Sequence, residues 1–262
     1  MKKVIIFDFD GTLHETMHIY KPAIVSVVKW LNEECCVQVE MPSDRRISSW
    51  LGMNMADMWR DFMPELDLEL RQKAGRMVGD WMQENLRKGK GRLYDGVEEM
   101  LDSLCAKGYL LAMLSNCGNH HAQVQWDIYG LERWFTVFFT CETWNGIPKH
   151  EILKDIAADF SGALEKSPVK RDGLPMAEAA GIISPNRTDG EPDHENENSG
   201  DGKETYQIFA YVGDRDSDLA AAQAVGAPFI GCLYGYGSRG ELEESTAFAG
   251  KPAEIAERLG EL

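Results

Sequence analysis

The hydrophobic pattern of the chain alternates short apolar runs with segments of helical periodicity. Five runs have the length and continuity of strands buried on both faces: Val4 to Phe7, Tyr109 to Leu114, Val137 to Phe139, Ile208 to Val212 and Pro228 to Cys232. Helical patterns lie between most of them, as in Val97 to Leu104 and Leu219 to Val225. Strands that alternate with helices predict an α/β fold whose core is a doubly wound parallel sheet.

The segment from about Glu15 to Lys90 interrupts this alternation. It is rich in Met, Trp and Leu at helical spacing and has no strand-like run of comparable clarity. We therefore predict an inserted α-helical cap over residues 15–90, between the two parts of the core, 1–14 and 91–262. At this spacing most of the Trp and Met side chains should form the core of the cap, and they are also candidates for a substrate pocket. The glycines of segment 88–92 make it a candidate hinge.

A second interruption is polar. Residues 161–206 lose the apolar pattern, and Asn186 to Glu204 is crowded with Asp, Glu, Asn and Gly. Because this composition buries too little apolar surface to offset the entropy of ordering it, we predict a mobile acidic insertion, with a short helix around Leu174 to Ile183. The alternatives are a docking element for a basic partner or a segment that binds divalent ions weakly.

Composition narrows the classes of partner. Acidic residues outnumber basic ones 43 to 27, which gives a formal charge of −16 and argues against nucleic acid or an anionic membrane as a partner. The six cysteines include no CxxC pair, and the first apolar run is too short for a signal peptide. These features predict a cytoplasmic protein with reduced thiols. They leave the oligomeric state open.

Two carboxylates follow the first predicted strand directly, in the segment Asp8-Phe9-Asp10-Gly11-Thr12. Extended backbone alternates its side chains, so Asp8 and Asp10 can point to one side, and Gly11 allows a sharp turn after them. Paired carboxylates suit phosphoryl transfer, because one can attack phosphorus while the other exchanges protons with the leaving group and water.

The later strands end in residues that complement this pair. The fourth strand leads into Gly213-Asp214 and then Asp218, and open α/β sheets place ligand sites at the carboxyl ends of their strands. These carboxylates are hard oxygen ligands of the kind Mg²⁺ prefers. Ser115-Asn116 ends the second strand and can hold phosphate oxygens, and Lys149 can neutralise charge on a transferring group.

These motifs resemble, in order, the four motifs of the haloacid dehalogenase superfamily: Asp8-x-Asp10-Gly11-Thr12, Ser115-Asn116, Lys149 and Gly213-Asp214-x-x-x-Asp218. The similarity covers nearly the whole chain outside the acidic insertion. Within the superfamily the chain is most similar to phosphoglycolate phosphatase-like members with a helical cap after the first motif.

The resemblance implies a role for each matching residue. Asp8 would be the nucleophile and Asp10 the general acid and base. Asp8, the backbone carbonyl of Asp10, and Asp214 would hold Mg²⁺, with Asp218 as a further or indirect ligand. Ser115, Asn116 and Lys149 would bind the phosphoryl group.

The implied activity is Mg²⁺-dependent hydrolysis of a small phosphorylated metabolite through an aspartyl-phosphate. A phosphomutase of the β-phosphoglucomutase type is an alternative, although the cap loop around Gly52 to Met55 has no basic residue to hold a second phosphate. A non-catalytic binding or regulatory protein on the same fold is a further alternative. The sequence does not identify the substrate.

Overall fold

A single parallel sheet organises the core in the computed structural model of the chain, which describes residues 1–171 and 205–262. The strands are β1 (Lys2–Phe7), β2 (Leu110–Ser115), β3 (Phe135–Thr140), β4 (Tyr206–Gly213), β5 (Phe229–Cys232) and β6 (Ala247–Ala249). Their order is β3-β2-β1-β4-β5-β6, and each neighbouring pair is parallel. The predicted α/β fold with a doubly wound parallel sheet is confirmed.

The five strands predicted from apolar runs are all present, and each begins and ends within two residues of its run. Strand β6 was missed, because three residues of mixed burial, Ala247–Ala249, carry too little pattern to stand out. It pairs with β5 through Ile230 and Ala247 at the edge of the sheet.

Helices cover both faces of the sheet. The helices are α1 (Met17–Glu33), α2 (Asp44–Ser49), α3 (Met55–Phe62), α4 (Leu68–Arg87), α5 (Val97–Ala106), α6 (Asn119–Tyr129), α7 (Lys149–Ala158), α8 (Phe160–Lys166), α9 (Asp216–Ala224) and α10 (Ile255–Gly260). Ile5 and Phe7 of β1 pack in one apolar cluster with α5, α6 and α10, whereas Val4 and Ile6 pack in the other with α7, α8 and α9. A central strand buried on both sides explains why its apolar run is continuous.

The four helices α1 to α4 lie in the chain between β1 and β2 and share an apolar cluster of their own. Trp50 and Trp59 are almost fully buried in it, whereas Trp81 is 38% exposed. Val124 of α6 joins the same cluster, so the cap packs on the core through that helix. All four helices lie within residues 15–90, the segment for which the cap is predicted.

The polar stretch assigned to residues 161–206 begins later than the sequence pattern indicates. Residues up to Lys166 are in helix α8, Ser167 donates a hydrogen bond to the carbonyl of Phe138, and Lys170 forms a bridge with Val137 of β3. The first part of this stretch contains several small residues and few large apolar ones, so the hydrophobic pattern did not predict that it packs on the sheet. The helix expected around Leu174 to Ile183 lies outside the described residues.

Across residues 1–171 and 205–262, we find no helix that combines the length and the apolar character needed to cross a membrane.

Candidate active site

The candidate site lies where β1, β2 and β4 end. Strand β1 is paired on one side with β2 and on the other with β4, and Phe7 is in register with both Met113 and Val212. The residues that follow these strands therefore meet at one edge of the sheet, where the winding direction reverses. Asp8, Ser115 and Asp214 are brought together in this way.

A buried lysine links two of the predicted site carboxylates. The Nζ atom of Lys149 lies 2.6 Å from Oδ1 of Asp8 and 2.7 Å from Oδ1 of Asp218. The lysine is the first residue of α7, and all three residues are less than 5% exposed. Burial alone would lower the pKa of Lys149, but Asp218 and Asp8 outweigh it and raise that pKa well above its ordinary value. The ammonium is therefore charged at any physiological pH.

Three carboxylates crowd together at this point. Oxygen atoms of Asp8, Asp214 and Asp218 lie within 4.8 Å of one another, in the described part of the chain. Burial raises the pKa of Asp8 well above its usual range, with Lys149 opposing and Asp218 and Asp214 adding to the shift. Burial and the neighbouring Asp218 raise the pKa of Asp214 to about 7. Such a cluster is costly without a cation beyond Lys149.

Asp214 and Asp218 differ in how many protein donors they accept hydrogen bonds from. Asp218 accepts from Lys149, from the hydroxyl of Tyr211 at 3.1 Å and from the backbone N–H of Arg215. Asp214 accepts from the backbone N–H of Tyr236 at 2.6 Å and, more weakly, from Thr12 at 3.4 Å. Asp218 is thus the more fully bonded of the two.

Asp10 has different neighbours from Asp8. Its Oδ1 accepts from the hydroxyl of Thr16 at 2.7 Å, and Nδ1 of His14 lies 3.8 Å from the same oxygen. Burial raises the pKa of Asp10, but the neighbouring imidazoles of His14 and His121 and the hydrogen bond from Thr16 outweigh it, and the net shift is downward. Two carboxylates that are two residues apart are therefore held in opposite electrostatic environments, one favouring the proton and one the charge.

The turn after Asp10 depends on glycine. Gly11 has a φ of +94°, and a side chain there would collide with the carboxylate of Asp214. The turn is closed by hydrogen bonds from the backbone N–H groups of Leu13 and His14 to the carbonyl of Phe9. This close approach brings the first motif against the fourth.

A cavity of about 210 Å³ opens above these residues, between core and cap. Its floor includes Asp8, Asp10, Ser115, Asn116 and Lys149, so each predicted catalytic and phosphate-binding residue lines one space. The opposite wall comes from the cap and is apolar, and it is formed mainly by Trp50, Leu51, Met53, Met55, Met58 and Met82.

Two core side chains reach across and hold the cap loop that follows Trp50. Nδ2 of Asn116 donates to the carbonyl of Gly52, and Nη1 of Arg215 donates to the carbonyl of Leu51. The donor–acceptor distance is 2.5 Å in both hydrogen bonds. The side chain of Asn116 is thereby committed to the cap. Its neighbour Ser115 accepts from the backbone N–H of Cys117 at 3.2 Å.

Several contributors were not predicted from the sequence. Thr16, Tyr211 and Arg215 act through contacts with Asp10, Asp218 and the cap loop, which only the folded chain brings together. The position of Thr16, six residues after Asp10, offered some signal, because a short turn returns the chain to the carboxylates. The cap methionines were candidates for a substrate pocket, but their helical spacing did not indicate which of them face the cavity.

Comparison of the chain with models of known protein families identifies its family. The model of the haloacid dehalogenase-like hydrolases matches residues 5–167, and a second model of HAD-hydrolase-like proteins matches residues 205–262. The chain belongs to the haloacid dehalogenase-like hydrolase family. The family predicted from the motifs is confirmed, and with it the assignment of the chain as a hydrolase.

Similar proteins span the chain at low identity. A phosphoglycolate phosphatase of Haemophilus influenzae is 23% identical over 252 residues, which cover 93% of this chain and 91% of that protein. Among solved structures, a predicted phosphoglycolate phosphatase from Haemophilus somnus has a TM-score of 0.68 and 21% identity, covering 98% of this chain and 97% of the other. CbbY from Rhodobacter sphaeroides, solved in complex with phosphate, has a TM-score of 0.64 and 15% identity, covering 97% and 96%. At these identities the solved structures establish the fold.

Proposed function

We propose that this haloacid dehalogenase-like hydrolase is a Mg²⁺-dependent phosphatase that hydrolyses a small phosphomonoester through an aspartyl-phosphate on Asp8. The supporting observation is the position of Asp8, which lines the cavity floor, pairs with Lys149 and belongs to the carboxylate cluster with Asp214 and Asp218. Similarity to phosphoglycolate phosphatases, together with a phosphate-bound structural neighbour, supports phosphate chemistry.

In the proposed reaction an oxygen of Asp8 attacks phosphorus, and the bond from phosphorus to the alcohol oxygen breaks. The electron pair leaves with the alcohol oxygen, which takes a proton from Asp10. Asp10 then takes a proton from water as the water oxygen attacks phosphorus, which releases inorganic phosphate and regenerates Asp8. Since His14 and Thr16 favour the ionised form of Asp10, the resting site is better suited to the second of these proton transfers.

The residues present fit a divalent cation of the Mg²⁺ type. Asp8 and Asp214 would hold it, with Asp218 nearby, because their oxygens converge, and a cation there would offset the burial and the charge of Asp218 that raise the pKa of Asp214. When bound, the ion would neutralise charge on the phosphoryl oxygens. Lys149 and Ser115, which also line the floor, would orient the phosphoryl group.

Hydrolysis is favoured over the mutase alternative by the chemistry of the cap. A mutase must hold a second phosphate while the first is transferred, and among the described residues that line the cavity the cap contributes no cationic side chain. The non-catalytic alternative is disfavoured because both carboxylates of the first motif lie in the cavity with Lys149.

The first test is metal binding to the purified protein. Since the pKa of Asp214 is raised from 3.8 to about 7, its contribution to stability is present at low pH and lost as pH rises through about 7. Excess Mg²⁺ should therefore raise the melting temperature more at about pH 8 than at about pH 5.5. At pH 8, Mg²⁺ at a hundred times its Kd should stabilise the fold by roughly 2.7 kcal/mol relative to the metal-free protein.

Two controls accompany the melting experiment. Asp214→Asn should reduce the pH-dependent part of the Mg²⁺ effect, and sodium at equal ionic strength should not reproduce that effect. Phosphate release from p-nitrophenyl phosphate should require Mg²⁺ and stop with a chelator. Equal turnover with and without Mg²⁺ would contradict the proposal.

A second prediction concerns the cap. Arg215→Ala removes the donor to the carbonyl of Leu51, so the closed arrangement of cap and core should become less stable by about 1 kcal/mol. We expect the KM for p-nitrophenyl phosphate to rise about fivefold, with a smaller change in kcat. Arg239→Ala, in the loop that follows β5, is the matched control. A normal KM in Arg215→Ala would show that this contact does not favour closure.

A further inference from the structure

The cap wall of the cavity is apolar without interruption by charge. Trp50, Met58 and Met82 are each less than 9% exposed, while Met53 and Met55 are 41% and 39% exposed at the rim. Of the described residues that line the cavity, those with formal charge are Asp8, Asp10 and Lys149, and all three are on the core side. A phosphoryl group bound to the floor would therefore direct its leaving group at methionine and tryptophan side chains.

Two arginines near the cap loop, Arg215 of the core and Arg46 of the cap, already bind other groups of the protein. Arg215 donates to the carbonyl of Leu51 and pairs with Glu241, and Arg46 pairs with Asp61 at 2.7 Å while lying over the ring of Trp50. Neither guanidinium lines the cavity. Lys149 is committed to two carboxylates, so it offers little charge to a leaving group.

Of the other titratable groups among the described residues that line the cavity, which include Tyr20 of the cap and Cys117, His121 is the one that could carry a positive charge. It lines the cavity from α6, and both of its ring nitrogens are buried without a hydrogen-bond partner among the described residues. Burial lowers the pKa of this histidine, so it is a neutral imidazole at physiological pH. A neutral ring offers one donor and one acceptor, which suits an uncharged polar group better than a carboxylate.

We propose that the substrate is the phosphomonoester of an uncharged alcohol with an apolar body, and that a carboxylate-bearing ester such as phosphoglycolate is a poor substrate. This inference rests on the proposed phosphatase function. A carboxylate placed against the methionines would lose its hydration with no cation to replace it, and it would also be repelled by Asp8 and Asp10. An alkyl or aryl body would instead exchange water contact for contact with Trp50 and the methionines.

The test compares two esters of nearly equal shape. Isobutyl phosphate matches 2-phosphoglycolate atom for atom, except that a branched methyl pair replaces the two carboxylate oxygens. We expect kcat/KM for isobutyl phosphate to exceed that for phosphoglycolate by at least about tenfold. An equal or higher kcat/KM for phosphoglycolate would overturn the inference.

A charge placed on the wall should reverse this preference. Met55→Lys introduces an ammonium at the rim, where exposure makes misfolding a small risk, and should raise kcat/KM for phosphoglycolate while lowering it for isobutyl phosphate. Met41→Lys adds the same charge at an exposed position of the cap that does not line the cavity, and it should change neither value. A change of equal size in both variants would also overturn the inference.

Turnover of p-nitrophenyl phosphate separates failure of the inference from failure of the proposed function. If the wild-type protein hydrolyses this ester with Mg²⁺ but prefers phosphoglycolate to isobutyl phosphate, only the substrate class is wrong. If none of the three esters is hydrolysed with Mg²⁺, the phosphatase function itself is wrong and the substrate class falls with it.

Discussion

Asp8→Asn is expected to lower the rate of phosphate release by at least about a thousandfold, because an amide oxygen is a much weaker nucleophile than a carboxylate. The side chain keeps its shape, so the cavity and the register of β1 should be unchanged. The measurement is kcat for p-nitrophenyl phosphate with Mg²⁺, together with circular dichroism to confirm the fold. Mass spectrometry of acid-quenched wild-type protein should find the phosphoryl group on Asp8.

The matched control for this substitution is Asp216→Asn. Asp216 lies in the same acidic loop as Asp214 and Asp218, but it is exposed and accepts a hydrogen bond from the backbone N–H of Ser217. Its substitution should leave kcat nearly unchanged. Near-normal turnover in Asp8→Asn, with the fold intact, would remove Asp8 from the role of nucleophile.

Lys149→Met is expected to damage stability as well as activity. It removes the cation from between Asp8 and Asp218, which then remain buried without their ion pairs. Breaking a buried pair in this way costs about 3–5 kcal/mol, to be measured as a fall in the free energy of unfolding in urea. Because the pKa of Asp8 loses its main lowering influence, protonation can relieve the strain, and the loss should be larger at about pH 8 than at about pH 5.5.

Two further variants distinguish the loss of the buried ion pairs of Lys149 from the effect of removing any lysine of helix α7. Lys154→Met removes an exposed lysine of the same helix that pairs with Glu151, and stability should hardly change. Lys149→Met combined with Asp218→Asn removes one of the stranded charges, so it should recover part of the stability without recovering activity. If Lys149→Met unfolds at the same urea concentration as the wild type, the ion pairs do not contribute as described.

Much of the core could be predicted because its strands are buried on both faces. Val4 to Phe7 forms a continuous apolar run that ends at a carboxylate, and this pattern locates both the central strand and the first site residue. The order of the motifs then brings Asp214 to the same edge, since neighbouring parallel strands end together. Strand β6 escaped detection because a three-residue edge strand has little sequence pattern.

The remaining features depend on contacts between distant segments. The hydrogen bonds from Asn116 to Gly52 and from Arg215 to Leu51 join residues 64 and 164 positions apart, so no local pattern could indicate them. Helical periodicity likewise predicts that Met58 and Met82 are buried, but it does not distinguish packing inside the cap from lining a cavity. The apolar wall is therefore known only from the fold.

The bridge formed by Lys149 has a consequence for how Asp8 is kept from unwanted reactions. The ammonium lies 2.6 Å from one oxygen of Asp8, the proposed nucleophile, and this ion pair would reduce the reactivity of that oxygen toward other electrophiles. An incoming phosphate dianion would compete for the same ammonium. Binding of a phosphorylated substrate would thus weaken the ion pair between Lys149 and Asp8, so that the carboxylate of Asp8 is most nucleophilic when substrate is bound.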